Sequence, residues 1–354
     1  MNPLESQLEY PLHDTLPETG SVHEIAPGVL WARMALPFAL SHINVWLLED
    51  EFSAPQGKTL GWTIIDCGVA NDATRLAWES IFADHLKGRP VVRVIATHCH
   101  PDHMGLADWL CSTWNAPLWM TAGEFGFARM MSAALPGVDG TSALPHFKLH
   151  GLTDQSLLEQ LQTRRNYYPS LVPRVPHAYC RLQEGQAVRI GKHEWQIITG
   201  FGHSPEHASL YCPALNILVS GDMVLPRIST NVSVFAVEPE ANPVHLYLDS
   251  LEKFRALPED LLVLPSHGKP FKGLHTRISQ LSSHHAARLE EVRGACSTPQ
   301  SAADIVPIMF RRELDAHQLT FALGEALAHL HYLWFAGIVR REVGPDSIIR
   351  FSLV

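Results

Sequence analysis

Long apolar runs are missing from this 354-residue chain. None approaches the ~18 consecutive apolar residues that cross a bilayer, so no membrane segment is expected. Cysteine is sparse and scattered: the six residues Cys67, Cys99, Cys111, Cys180, Cys212 and Cys296 include no CxxC pair and do not read as a disulfide framework. Positive charge is scarce as well. Lys and Arg number 27 against 36 Asp and Glu, a formal net charge of −9. Long nucleic acids call for a basic surface, so nucleic acid is not an expected partner. The opening MNPLESQLEYPLHDTLPETG carries acids and prolines where a secretory leader is apolar, and a cytoplasmic location is expected. Repeats and low-complexity tracts are lacking too.

What is present reads as globular. Apolar residues make up 46% and charged residues 18%, enough for a sizeable core and too little charge for a disordered chain. The length suggests two domains, or one large domain with an appendage. After a polar, loosely ordered lead-in over 1–21, strand-like runs VLWARMAL, INVWLLED and GWTIIDCG follow one another, with EFSAPQGKT read as a hairpin loop. Then DATRLAWESIFADHL, VVRVIAT, ADWLCSTW and APLWMT alternate helix and strand. Residues 123–180 show two short helical pieces and no strand pattern. Strands resume from 186, and helices are expected near 242–257 and 274–295. The tail outlines helix, helix and hairpin, as a winged helix does. With five Arg against six acidic residues over 299–354, it lacks a basic recognition helix and reads as a packing or dimerisation module. The class expected is α+β, with sheets flanked by helices.

Histidine is the abundant residue, at 21, and its placement carries the chemistry. His98-Cys-His100-Pro-Asp102-His103 follows an apolar strand. Residues two apart in an extended arm point the same way, so His98 and His100 can share one ion, while Asp102 and His103 beyond Pro101 can face a second. Packing these groups together with no cation would cost several kcal/mol. Cys99 alternates away and reads as a core residue. Three further motifs end apolar strands: Gly-His203-Ser-Pro-Glu-His207, Ser220-Gly-Asp222 and Ser266-His267-Gly.

Taken in order, these motifs resemble the metallo-β-lactamase superfamily over roughly residues 22–280, with Asp66 in IDCG as the first match. The resemblance implies an αββα sandwich with metals at the edge between its two sheets. It implies that His98, His100 and His203 hold one ion, that Asp102, His103 and His267 hold another, and that Asp222 bridges them. Asp66 matches a position that orients the first motif rather than binding metal. The tail, 281–354, resembles the winged-helix appendage of some hydrolases of the superfamily, carried by AHLHYLWFAGIVRRE.

Two divalent ions ~3.5–4 Å apart can share a hydroxide and polarise a carbonyl or phosphoryl oxygen. The expected activity is therefore hydrolysis of an ester, thioester or lactone of a small molecule, with Asp102 assisting proton transfer. His100 stands where di-iron members carry a carboxylate, which favours two Zn2+, with iron and manganese left open. Phosphodiester or RNA cleavage is the alternative, and a non-catalytic metal-binding protein the third reading. Arg227 and Asn231, just past Asp222, are candidate substrate contacts expected to hang over the metals. Residues 123–180 are expected to form a lid. Phe125, Phe127, Met130 and Met131 would supply its underside, Tyr167 and Tyr168 would reach substrate, and Arg164, Arg165 and Arg174 would add positive charge. An anionic acyl thioester would suit such a cover. Leu319, Leu323, Ala326, Leu330 and Trp334 form one face of the tail helix, to be buried on the catalytic domain or in a homodimer.

Overall fold

The computed structural model describes residues 3–38, 40–54, 57–139, 141–162 and 167–354. Strands β1 (His23–Ala26), β2 (Val29–Ala35), β3 (His42–Ala54) and β4 (Gly57–Ile65) form an antiparallel meander. Helix α1 (Asp72–Asp84) then crosses to β5 (Val91–Ile95), parallel to β4. Helices α2 (Pro101–Met104) and α3 (Ala107–Trp114) lead to β6 (Leu118–Met120). Four helices follow, α4 (Ala122–Ser132), α5 (Ala143–Leu149), α6 (Gln155–Gln162) and α7 (Tyr167–Leu171), before the short β7 (Cys180–Arg181) closes a seven-stranded sheet in sequence order.

The second sheet takes β8 (Ala187–Ile190), β9 (His193–Gly200), β10 (His207–Cys212) and β11 (Ile217–Gly221), all antiparallel. Helix α8 (Pro243–Phe254) crosses to β12 (Leu262–Pro265), parallel to β11. The tail holds α9 (Leu274–Ala295), α10 (Ala302–Met309), α11 (Ala316–Phe335) and a hairpin of β13 (Val339–Val343) and β14 (Ile349–Leu353).

Alternating apolar residues of both sheets meet face to face: Trp31, Trp46 and Leu48 on one side, Trp195, Ile197, Leu210 and Val219 on the other, all buried. Helices cover the outer faces. In α1 the spacing of Thr74, Ala77, Trp78 and Ile81 turns one stripe inward, and the Asn71 side chain caps its first turn by accepting the Thr74 N–H at 2.7 Å. Helices α8 and α9 cover the second sheet. The architecture is the αββα sandwich, and every residue of β10 and β11 is buried because the strands are covered on both faces.

Several local expectations change. Within EFSAPQGKT, the residues 51–54 and 57–59 are ladder rather than loop, with β3 and β4 pairing out to Ala54 and Gly57; their polar composition reflects a hairpin that extends beyond the core. The lead-in is docked: Leu8 is buried, and Glu9 bridges to Lys272. The 280/281 boundary falls inside α9, which runs unbroken, and its Arg277 and Gln280 are both buried. Residues 123–180 contain more helix than two pieces. In α11, Leu323, Ala326 and Leu330 are buried and Leu319 and Trp334 half-buried within this same chain, so that face needs no second copy. No helix among the described residues is long and apolar enough to cross a membrane.

Candidate metal centre

Four strand ends deliver the site. His98 follows β5, His203 follows β9, Asp222 follows β11 and His267 follows β12. Pro101 opens the one-turn helix α2, which carries Asp102 and His103. The side chains gather into two groups, His98, His100, His203 and Asp222 in one, Asp102, His103 and His267 in the other, with the potential ligand atoms of each within 4.8 Å of one another. His98 Nε2 lies 2.9 Å from His100 Nδ1 and 3.2 Å from His203 Nε2. Asp222 faces both groups. Its Oδ2 is 3.4 Å from His203 Nε2, and its Oδ1 is 3.6 Å from His103 Nε2 and 3.5 Å from His267 Nε2. Asp102 Oδ2 is 3.4 Å from His267 Nε2 and 3.7 Å from His103 Nε2.

Surrounding groups fix these orientations. Asp66 sits at the end of β4 with φ of 65°, a left-handed conformation uncommon for aspartate. Its carboxylate accepts from the Thr97 N–H at 2.8 Å and lies 2.8 Å from His103 Nδ1, so His103 presents Nε2 to the site. His203 Nδ1 donates to the Asn231 carbonyl at 2.7 Å, and His267 Nδ1 to the His42 carbonyl at 2.8 Å. Asn44, buried on β3, donates to the Pro265 and Gly268 carbonyls that flank His267.

The electrostatics divide the same way. Burial and the imidazoles of His103, His100 and His203 hold His98 well below the ordinary histidine pKa, and burial with His203 pushes His100 down to about 3. Burial opposes charge on His103 too, but Asp66, Asp102 and Asp222 outweigh it and lift it to about 9. Burial is likewise overcome at His267, which Asp222 and Asp102 raise well above its usual value. His98 and His100 are thus held neutral, while carboxylates favour the protonated form of His103 and His267. His103 Nε2 and Asp222 Oδ1 are buried with no hydrogen-bond partner among the described residues. Buried polar groups left so cost ~1–3 kcal/mol or more each, a cost that a bound cation removes. Five imidazoles and two carboxylates suit a pair of divalent ions such as zinc.

Sequence similarity places this geometry in a family. Residues 40–267 match the metallo-beta-lactamase superfamily, and residues 289–354 match the metallo-beta-lactamase-like C-terminal domain. The chain belongs to the metallo-β-lactamase superfamily. It is 57% identical to a beta-lactamase domain protein from Burkholderia ambifaria, whose crystal structure superposes with a TM-score of 0.94 over 100% of both chains. The metallo-beta-lactamase family protein TTHA1429 from Thermus thermophilus is 26% identical, with a TM-score of 0.76 over 94% of this chain and 100% of the other. The probable metallo-hydrolase YqjP of Bacillus subtilis (strain 168) is 24% identical over 319 residues, 86% of this chain and 92% of that protein.

The superfamily motifs thus converge, and the side chains expected to touch substrate each have partners within the chain. Arg227 is exposed and its Nε lies 3.7 Å from Glu5. The buried Arg277 donates to the Leu225 and Ile228 carbonyls and so ties this stretch to α9. Asn231 lies beside the site, but its Nδ2 is given to Glu325 and its Oδ1 accepts from Ser233; only its carbonyl serves the centre. Tyr168 donates its hydroxyl to the Cys99 carbonyl, and Phe125 stacks on Tyr179 at 4.0 Å. Arg174 Nε lies 3.2 Å from Asp108, and Arg164 and Arg165 lie outside the described residues.

Sequence reasoning gave no role to two residues, His207 and Glu124. His207 accepts the Asp222 N–H at 3.1 Å, an approach possible because Gly221 lacks a Cβ, which would stand 2.2 Å from His207 Nε2. Glu124 is buried and receives Cys99 N–H, Ser204 Oγ–H and Glu206 N–H, tying the first histidine motif to the His203 loop. A lone acid in the apolar run GEFGFARMM was its only signal.

Proposed function

We propose that the chain is a dinuclear-metal hydrolase acting on an ester, thioester or lactone of a small molecule, with two Zn2+ as its resident ions. The observation that carries this reading is Asp222, which presents one oxygen to each of two complete ligand groups. Divalent ions held there would polarise a carbonyl oxygen and make water a nucleophile near neutral pH. The chain's own residues do the rest. Asp66, Asn231 and His42 hold the three imidazoles that close the two groups in single tautomers. Asp102 keeps partial solvent access, at 15% of its side chain, and its Oδ2 is the atom placed to take the proton from attacking water and return it to the leaving oxygen or sulfur. The carbonyl carbon gains the water oxygen as the bond to the leaving group breaks. Zinc identity, catalysis by Asp102 and a cytoplasmic location belong to this proposal.

Metal analysis and a substrate panel test it together. The isolated protein should hold about two divalent ions per chain and should turn over acyl esters, thioesters or lactones faster than phosphodiesters. Asp222→Ala should lose more activity than any other single ligand change. A protein that binds no transition metal after reconstitution, or that prefers phosphodiesters, would overturn the reading.

A further inference from the structure

A cleft of about 250 Å3 opens directly beside the ligand His100. Three segments distant in sequence wall it. The 123–180 insertion contributes Phe127, Met131 and the ring of Tyr168. The loop after Asp222 contributes Phe235, Ala236 and Val237, and α11 contributes Phe321 and Gly324. Helix α11 reaches the cleft because Gly324 rests against Ser233: a Cβ there would stand 2.8 Å from the Ser233 Cβ, and the Gly324 carbonyl accepts the Val234 N–H at 3.2 Å. The tail is therefore more than a packing module.

The lining is apolar and lacks positive charge. No Lys or Arg borders the cleft among the described residues, and the single carboxylate, Asp139, is turned onto Thr141 Oγ1 and Ser142 N. Of its lining residues, Phe235, Val237 and Phe321 stay 41%, 44% and 42% exposed. Large apolar side chains clustered at the surface beside a reactive centre mark a surface that a ligand covers. The volume lies just under the roughly 300–1,000 Å3 of ordinary ligand pockets, room for a short acyl or aryl group and too little for a long fatty chain.

We propose that this cleft holds the uncharged acyl or aryl group of the substrate, and that Phe321 of α11 limits its length. The proposal rests on the hydrolase reading above: this part of the substrate is neutral and apolar. The test uses metal-loaded full-length protein, p-nitrophenyl esters from acetate to decanoate, and N-phenyl-1-naphthylamine as a fluorescent probe whose binding needs no turnover. Ala236→Trp fills the cleft. It should lower the hexanoate-to-acetate ratio of kcat/KM at least ten-fold and weaken the probe at least ten-fold, with metal content unchanged. Phe321→Ala enlarges the cleft on its α11 side and should move the preferred chain length upward. If no ester is hydrolysed while the probe still binds and Ala236→Trp still weakens it, the cleft stands and the hydrolase reading falls. If esters are hydrolysed while both variants keep the wild-type chain-length profile and probe affinity, the hydrolase stands and the cleft proposal is overturned.

Discussion

Glu325 links the tail to the metal centre, and replacing it has a calculable consequence. On α11 its Oε2 accepts from Asn231 Nδ2 at 3.2 Å, and the Asn231 carbonyl in turn holds His203. Burial pushes the Glu325 carboxyl up to about 7 from 4.5, against the lowering pull of the Asn231 amide and the Arg288 charge. Because the folded value is the raised one, the native state keeps a proton that the unfolded state has already lost. Its contribution is fully present below pH 4.5 and disappears as the pH rises through about 7. At ~1.4 kcal/mol for each pH unit, that span amounts to ~3 kcal/mol. Glu325 is only half-buried by its surface, and screening by the remaining solvent makes this figure a ceiling. Glu325→Gln keeps the shape and the acceptor for Asn231 but cannot ionise. Urea unfolding of metal-saturated wild type and variant, followed by tryptophan fluorescence from pH 5 to 8.5, should show near-equal stability at the acid end. The variant should gain up to ~3 kcal/mol at the alkaline end. A difference that does not change with pH would refute the reasoning.

Asp66→Asn removes the charge that faces His103 Nδ1 at 2.8 Å and should weaken metal affinity by ~10–100-fold in chelator competition; unchanged affinity would mean that Asp66 does not orient this ligand. Four histidines outside the metal centre are held neutral chiefly by burial, His146 and His329 at about 4, His150 and His285 at about 3, against an ordinary 6.5. Folded values below the unfolded one mean that the unfolded state takes up protons first, so stability present above pH 6.5 is lost on acidification towards pH 3–4. Unfolding free energies measured between pH 6.5 and 4.5 should fall steeply, with several protons taken up; an uptake of less than one would exclude this source of acid lability.

The residues of the candidate metal centre were legible from the sequence because chemistry narrows their choice. Only a few residue types hold a divalent ion, and each motif stands at the end of an apolar strand whose period is readable locally. The same local signals disclosed the meander, the alternation after it and the helices near 242–257 and 274–295. Tertiary structure decided what depends on neighbours far along the chain. Arg227 stands out in the sequence by its distance from Asp222, but its facing partner Glu5 and the anchor of its loop, Arg277, come from distant parts of the chain. Glu124 and His207 look like ordinary polar residues until packing sets them against Cys99 and Asp222. The cleft wall on α11 required Gly324 to meet Ser233 from a distant part of the sequence. A ligand set is written in residue identity and spacing, whereas a loop's direction and a pocket's shape follow from how buried polar groups and side-chain volumes are satisfied across the whole chain.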